Sequence, residues 1–387
     1  MKDETIGVVG AGTMGQGIAQ IASQNNHKVY LYDAYPDQLG KAKHALRKIL
    51  QRQVEKERMS QEEVDGIMNR IHFVEDLTNY DECSLVIEAV IEDLDIKQDV
   101  FQRLEGIVSH DCILATNTSS LSIASISSAL KKPKRFLGIH FFNPAPIMPL
   151  VEIVPGIATS DAITQDARQL IDKWDKTTVL AKDTPGFIVN RVARPFYSEA
   201  IRLFEEGVAD VPTIDWAMKE IGGFRMGPFE LMDFIGHDVN YKVTETVFKE
   251  FFYDPRFKPS FTQKRMVEAG WLGKKSGKGF YEYGDEADNP KPTKDKQLGQ
   301  QIVDRIVAML INEAVDAVFM NVATVEDVDL AMTKGVNYPK GLLKWADDIG
   351  LQEVLDRITR LQTEYREDRY RPNPLLKRKV RNGETFY

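Results

Sequence analysis

Three glycines near the amino end restrict the fold more than any other feature of this 387-residue chain. Thr5-Ile-Gly-Val-Val9 is a short apolar run, Gly10-Ala-Gly12-Thr-Met-Gly15 follows at once, and Gln16 to Ala22 continues as a helical stretch. Strand, glycine turn and helix in that order open a doubly wound α/β sheet. Gly10 permits the tight turn, Gly12 lets the backbone approach a pyrophosphate, and Gly15 lets helix and strand close together, with phosphates over the helix N-terminus. Such a turn alone is weak support, because glycines also serve turns that bind nothing. Here the next strand, Val29-Tyr-Leu-Tyr-Asp33, ends in an acid about twenty residues beyond the glycines, where a carboxylate accepts ribose hydroxyls and repels a 2′-phosphate. NAD is therefore expected rather than NADP, held by Gly10, Gly12, Thr13, Met14, Gly15 and Asp33.

The alternation of strand and helix continues, with strands expected at Arg70–Val74, Ser84–Glu88, Cys112–Thr116, Phe136–Phe141, Leu150–Val154 and Thr177–Leu180. After Asp183-Thr-Pro185-Gly186 the period becomes helical, beginning with a long helix over Phe187 to Glu206. The expected architecture is an α/β Rossmann domain followed by all-α structure.

His140 stands near the carboxyl end of the run Arg135-Phe-Leu-Gly-Ile-His140, where ligands bind in open α/β sheets. An isolated histidine in such a run is usually a core residue with one hydrogen bond. Asn143-Pro144-Ala-Pro146, however, prevents a strand or helix from continuing, so the residues after His140 form a turn at the sheet edge. An imidazole with a pKa near about 6.5 can take a proton from an alcohol whose carbon loses a hydride, and a carboxylate such as Glu152 behind it would fix its tautomer.

With these residues in place, the chain resembles the L-3-hydroxyacyl-CoA dehydrogenase family. The resemblance rests on Gly10 to Gly15, Glu88-Ala-Val-Ile-Glu92, Asn117-Thr-Ser-Ser120, His140-Phe-Phe-Asn-Pro144, Asp183 to Arg191, and Met226-Gly-Pro-Phe-Glu-Leu-Met-Asp233, spanning essentially residues 5 to 283. It implies His140 as base, Glu152 as its orienting partner, and Ser119 and Asn190 at the reacting oxygen or the thioester. It also implies Glu92 and Lys97 near the nicotinamide and its ribose, with Asn117 and Asn143 close by. Ser119 and Asn190 are neutral groups able to bond the C3 oxygen as alcohol or ketone. Taken alone, Asn117–Ser120 reads as a helix cap and Asn190 as an ordinary helix residue.

An internal repeat runs at a constant offset of 114 residues. Ile188-Val-Asn190-Arg191 matches Ile302-Val-Asp304-Arg305, Glu199-Ala200 matches Glu313-Ala314, Ile214-Asp215 matches Val328-Asp329, Gly227 matches Gly341, and Asp233-Phe-Ile-Gly236 matches Asp347-Asp-Ile-Gly350. The expected domains are residues 1–183 for NAD, 184–284 helical, a polar, proline-containing linker over 285–297, and 298–387 as a second, structural copy of the helical domain. Its counterpart of Asn190 is Asp304. In relatives with one helical domain that domain forms the dimer interface, so the resemblance implies that the two copies pack on each other. A monomer with an internal pseudo-dimer, or a homodimer, is expected.

Lys and Arg number 50 against 58 Asp and Glu, a net charge of −8 that argues against nucleic acid as a partner. An anionic acyl-CoA would need a local basic patch, and the stretch Lys41 to Arg58 offers one, with Arg52 and Lys56 as candidate CoA contacts; the plainer reading is a solvated helical face. Only Cys83 and Cys112 are present, and no metal-ligand spacing occurs, so a reducing, cytoplasmic setting without a metal is expected. Lys2-Asp-Glu4 leads almost at once into a core strand, so no signal peptide is expected, and no apolar run is long enough for a bilayer.

The expected reaction is NAD-dependent oxidation of an L-3-hydroxyacyl-CoA, in fatty-acid or aromatic-acid catabolism, in a cleft between the domains. The alternatives are a dehydrogenase of a free hydroxy acid or sugar acid on the same scaffold, and a non-catalytic NAD-binding structural protein. A substrate with a terminal carboxylate would need a further cation, for which Arg194, Arg225 and Lys242 are candidates.

Overall fold

The computed structural model describes residues 4–387, which divide into two compact units, one ending at Thr184 and the other spanning Pro185–Tyr387.

The first unit is one eight-stranded sheet: β1 (Thr5–Val9), β2 (Lys28–Tyr32), β3 (Ile71–Val74), β4 (Leu85–Glu88), β5 (Ile113–Thr116), β6 (Phe136–Phe141), β7 (Leu150–Pro155) and β8 (Thr177–Leu180), in the order 3-2-1-4-5-6-7-8. Strands β1 to β6 are parallel, β7 is antiparallel to β6, and β8 is parallel to β7. Helices α1 (Thr13–Gln24), α2 (Pro36–Glu55), α3 (Gln61–Arg70), α4 (Leu94–Glu105), α5 (Ile123–Ser127) and α6 (Asp161–Asp172) make the connections. The central strands are buried on both faces, as Leu85–Glu88 and Ile113–Thr116 show, which is why they read as continuous apolar runs rather than alternations. The strand order reverses between β1 and β4, so the carboxyl ends there open the crevice into which the glycine turn projects.

The second unit is helical: α7 (Val189–Val192), α8 (Arg194–Glu205), α9 (Val211–Trp216), α10 (Pro228–Ile235), α11 (His237–Glu250), α12 (Phe261–Glu268), α13 (Lys296–Phe319), α14 (Val325–Gly335), α15 (Leu342–Ile349), α16 (Leu351–Tyr365) and α17 (Pro374–Asn382). The long helix expected over 187–206 is two helices. Gly186 and Phe187 have positive φ (73° and 46°), which delays the start, and Pro195 has no N–H for the ladder, so the helix is interrupted at Ala193. Helix α13 is the axis of this unit, packed against α7 and α8 as well as α15 and α16.

The 114-residue correspondences have matching geometry. Arg191 Nε donates to Glu313 (2.9 Å), and Arg305 Nε donates to Glu199 (3.0 Å), a reciprocal pair of buried bridges. Asp215 accepts from the backbone N–H of Phe229 and Glu230; Asp329 accepts from those of Leu343 and Lys344. Gly227 and Gly341 leave room for these two carboxylates: a Cβ on either would lie within 2.4 Å of its aspartate.

Candidate active site

The glycine turn is built as its sequence requires. Gly10 has φ of +103°, and a Cβ on Gly15 would meet the Gly10 carbonyl oxygen at 1.8 Å, so a side chain is excluded at both. At Gly12 a Cβ would meet no atom within 4 Å, so the backbone there faces open space. Asp33, after β2, accepts the Ala11 N–H with one carboxylate oxygen (2.7 Å) and the Tyr35 N–H with the other (3.0 Å). These bonds aim the carboxylate across the turn. A cavity of about 640 Å³ includes Gly10, Gly12, Asp33, Lys41, Ile91 and Arg103 in its lining. Thr13 is exposed at the start of α1, while Met14 is half-buried and packs on the core. A dinucleotide fits these residues: glycine backbone for the pyrophosphate, an oriented carboxylate for the ribose, and a cavity of the right order of size.

Two carboxylates at the carboxyl end of β4 organise the next part of the crevice. Glu88 is fully buried, accepting from Lys97 Nζ (2.6 Å), the Thr116 hydroxyl (2.7 Å) and the Val90 N–H (2.7 Å). Burial pushes its carboxyl above the usual range, against the pull of Lys97 and these hydrogen bonds. Glu92, at the surface, accepts from the Thr118 hydroxyl (2.5 Å), the Ser120 hydroxyl (2.9 Å) and the N–H groups of Ser119 and Ser120 (3.0 Å each), with Lys97 at 3.3 Å. Burial opposes its charge, but Lys97 and the hydrogen bonds outweigh that and hold it below the ordinary value. Lys97, with 1 % exposure, is enclosed by these acids, so its effect on the site runs through Glu92.

His140 and Glu152 face each other across the antiparallel β6–β7 pair, and Nδ1 lies 2.7 Å from the carboxylate. Glu152 is completely buried and His140 nearly so. The twelve-residue spacing is the span of a hairpin whose register puts the two opposite. Asn117, just past β5, accepts the Phe141 N–H with its side-chain oxygen (2.8 Å), tying the Asn117–Ser120 segment to the strand that carries the histidine. That segment is therefore not the cap of α5, which is capped by Ser122. The Asn143–Pro144 bond is cis, and Asn143 is exposed in the turn after His140.

The sequence reading did not identify Lys176. Its buried ammonium donates to the carbonyls of Ala145 (2.6 Å) and Met148 (2.7 Å), clamping the turn between β6 and β7. Burial brings its pKa down to about 8, with Asp175 opposing. A lysine beside a strand gives no such signal, because its acceptors are backbone carbonyls twenty-eight and thirty-one residues away. Thr118, Thr116 and Glu88 were likewise not singled out as supports of Glu92.

Of the remaining candidates, Arg52 on α2 and Lys56 at its end are exposed, and Asn190 lies half-buried on α7 in the helical unit. Among the described residues no cluster of His, Cys, Asp and Glu could hold a metal, and no helix is long and apolar enough to cross a membrane.

Comparison with known proteins agrees with this geometry. Residues 5–184 match the family "3-hydroxyacyl-CoA dehydrogenase, NAD binding domain", and residues 186–283 and again 302–385 match "3-hydroxyacyl-CoA dehydrogenase, C-terminal domain". The chain belongs to the 3-hydroxyacyl-CoA dehydrogenase family. It is 37% identical to the 3-hydroxyadipyl-CoA dehydrogenase of Escherichia coli K12, over 97% of each chain. A probable 3-hydroxybutyryl-CoA dehydrogenase of Deinococcus radiodurans is 41% identical, with 72% of this chain covering 99% of that shorter enzyme. Among solved structures, a 3-hydroxybutyryl-CoA dehydrogenase from Escherichia coli K12 superposes with a TM-score of 0.94 at 35% identity, covering 99% of both chains.

Proposed function

We propose that this member of the family oxidises an L-3-hydroxyacyl-CoA to the 3-oxoacyl-CoA, with His140 as the base. The observation that carries the reading is the buried His140–Glu152 pair (2.7 Å) at the carboxyl end of β6, the edge to which the glycine turn also belongs. Glu152 engages Nδ1, so the proton from the substrate hydroxyl is assigned to Nε2, and the carboxylate stabilises the imidazolium that forms. NAD, when bound, supplies the hydride acceptor. Ser119 and Asn190 are proposed to donate to the C3 oxygen as it becomes a carbonyl, both neutral and so suited to either direction of reaction. Glu92, fixed by four hydrogen bonds, and Asn117 and Asn143 are proposed to position the nicotinamide end.

The test is NADH oxidation with acetoacetyl-CoA, beside free acetoacetate, by wild type and His140→Ala. Turnover of the thioester alone, lost in the variant, is expected. Equal turnover of the free acid would favour the alternative free hydroxy-acid reading.

Within the helical unit we read residues 184–284 and 298–387 as two copies of one domain joined by 285–297, the second structural. The reciprocal Arg191–Glu313 and Arg305–Glu199 bridges support this, since each copy supplies one arginine and one glutamate. They resemble the two halves of an isologous interface, and a monomer active without a second subunit is expected. Light scattering showing a dimer that loses activity on dilution would overturn it. Cys83 and Cys112, both buried free thiols, support a cytoplasmic setting.

Among cations proposed for a terminal carboxylate, Arg194 is favoured. It is buried with a hydroxyl partner, Thr244 (3.1 Å), and no carboxylate in ion-pair range among the described residues, whereas Arg225 is exposed and Lys242 is exposed beside Glu245 (3.7 Å). A buried guanidinium cannot shed its proton, so an anionic partner is expected. A dicarboxylic acyl-CoA, of the adipyl type named for the Escherichia coli relative, would supply one.

A further inference from the structure

We infer that Asp183 is a positioning residue for Ser119, acting through the backbone that joins β5 to α5. The inference rests on the reading above, in which the Ser119 hydroxyl meets the C3 oxygen.

Ser119 stands between β5 and α5 in a stretch that belongs to no strand or helix, so no backbone ladder fixes it. A hydroxyl that must meet an oxygen as it becomes a carbonyl needs a backbone held to a fraction of an ångström. Side chains hold it here. At the near end Thr118 Oγ1 donates to Glu92 (2.5 Å) and accepts the Leu121 N–H (3.0 Å), while Glu92 also accepts the N–H groups of Ser119 and Ser120. At the far end the Asp183 carboxylate accepts the Ser122 hydroxyl (3.0 Å) and the N–H groups of Ile123 (3.1 Å) and Ala124 (2.9 Å), 59 to 61 residues earlier in the chain. Ser119 is thus held between two carboxylates.

The three serines of this stretch divide the work. The Ser120 hydroxyl donates to Glu92 (2.9 Å) and the Ser122 hydroxyl to Asp183, so both serve as anchors. Among the described residues the Ser119 hydroxyl has no hydrogen-bond partner, although its N–H is bonded (3.0 Å). The backbone is pinned on either side of the one hydroxyl left free to meet a substrate.

Capping of α5 alone does not account for Asp183. Ser122 already occupies the N-cap, and its side chain accepts the Ser125 N–H (3.3 Å). Helix ends commonly leave their remaining N–H groups to water, and a cap is ordinarily supplied by a neighbouring residue rather than by a carboxylate from beyond β8. Asp183 is also the last residue but one of the first unit, so the chain leaves that unit beside the segment that carries Ser119.

The test is a double-mutant cycle in the full-length protein, read as NADH oxidation with acetoacetyl-CoA: Ser119→Ala, Asp183→Ala and both together, with Asp183→Asn beside them. Asp183→Ala should lower kcat about tenfold, because it displaces the hydroxyl without removing it. The Kd for NADH should stay within about twofold of wild type, since the glycine turn is built from other residues. Asp183→Asn presents an amide nitrogen where an N–H must be accepted, so it loses at least one of the three bonds and should fall between wild type and Asp183→Ala. In the Ser119→Ala background the further loss from Asp183→Ala should shrink to less than about twofold, because the group it positions is gone. A merely structural Asp183 would lower Tm and slow both backgrounds by the same factor, which overturns the inference. Ser119→Ala with wild-type kcat removes the role read for Ser119 and this inference with it, whereas an impaired Ser119→Ala beside an unimpaired Asp183→Ala overturns the inference alone. Should Asp183→Ala not fold, the same cycle run with Asp183→Asn decides.

Discussion

The buried polar groups of the sheet unit occur once, whereas many of those in the helical unit occur twice, 114 residues apart. Glu88, His140 and Glu152 have no counterparts at that offset, where Arg202, Asp254 and Met266 stand; Glu88 is held by Lys97, Thr116 and Val90, and His140 and Glu152 hold each other. In the helical unit, Arg191, Glu199, Asp215 and Asp233 are matched by Arg305, Glu313, Asp329 and Asp347, with equivalent partners. The exceptions there are informative. Asn190 becomes Asp304, bridged to Arg357 (3.0 Å); Arg194 becomes Ala308; and His237, bonded to Asp233 (2.7 Å), becomes Leu351. The buried arginine–glutamate bridges and the carboxylate contacts to backbone N–H groups are duplicated, whereas these three positions are not.

That contrast can be broken experimentally. Arg191→Met and Arg305→Met should each destabilise by about 1.5–3 kcal/mol, the scale of a lost charge-assisted hydrogen bond, since Glu313 keeps Arg256 (3.1 Å) and Glu199 keeps Arg202 (3.6 Å), and chemical denaturation should find the two similar. A large effect at only one would end the reading of the two bridges as equivalent. Asn190→Ala should lower kcat by about 10²-fold or more, the usual loss for a donor at a developing oxyanion, while Asp304→Ala should leave steady-state kinetics within about twofold. Equal losses would give the second copy a part in the reaction. Arg194→Met should lower kcat/KM for a 3-hydroxyadipyl thioester about tenfold or more relative to a 3-hydroxybutyryl thioester, the scale of one charge-assisted hydrogen bond. An unchanged ratio would return Arg194 to the scaffold.

The parts of this design legible in sequence are those written in contiguous residues or fixed offsets. The eight strand positions follow from apolar runs bounded by turn residues, and Gly10, Gly15 and Asp33 from the spacing that their close contacts require. The His140–Glu152 pair was legible because a hairpin converts a sequence interval into a cross-strand contact. The helix break at Ala193 could be anticipated from Pro195, but the delayed start depends on a left-handed Phe187, which no side-chain preference announces. Least legible were contacts to backbone carbonyls and N–H groups, because every residue has them: the Lys176 clamp, the Asn117 bond to Phe141, and the Glu92 bonds to Ser119 and Ser120.

Lys176 also supplies the smallest and most selective test of the contrast, since it is a singly occurring group that is proposed to support the site rather than to react. Burial lowers its folded-state pKa to about 8 from an ordinary value of 10.5, so between these limits the folded chain binds fewer protons than the unfolded one. Stability must then rise with pH across that window, and it is independent of this group's titration below about pH 8, where lysine is charged in both states and the cost of its burial is constant. Thermal unfolding of wild type and Lys176→Met should therefore diverge from pH 8 to pH 10.5 in favour of wild type, by on the order of a few degrees in Tm. The neutral amine retains two N–H donors, enough for the Ala145 and Met148 carbonyls, so the turn after His140 should stay clamped through this range. A constant difference in Tm across the window would mean that Lys176 is not desolvated in the folded chain.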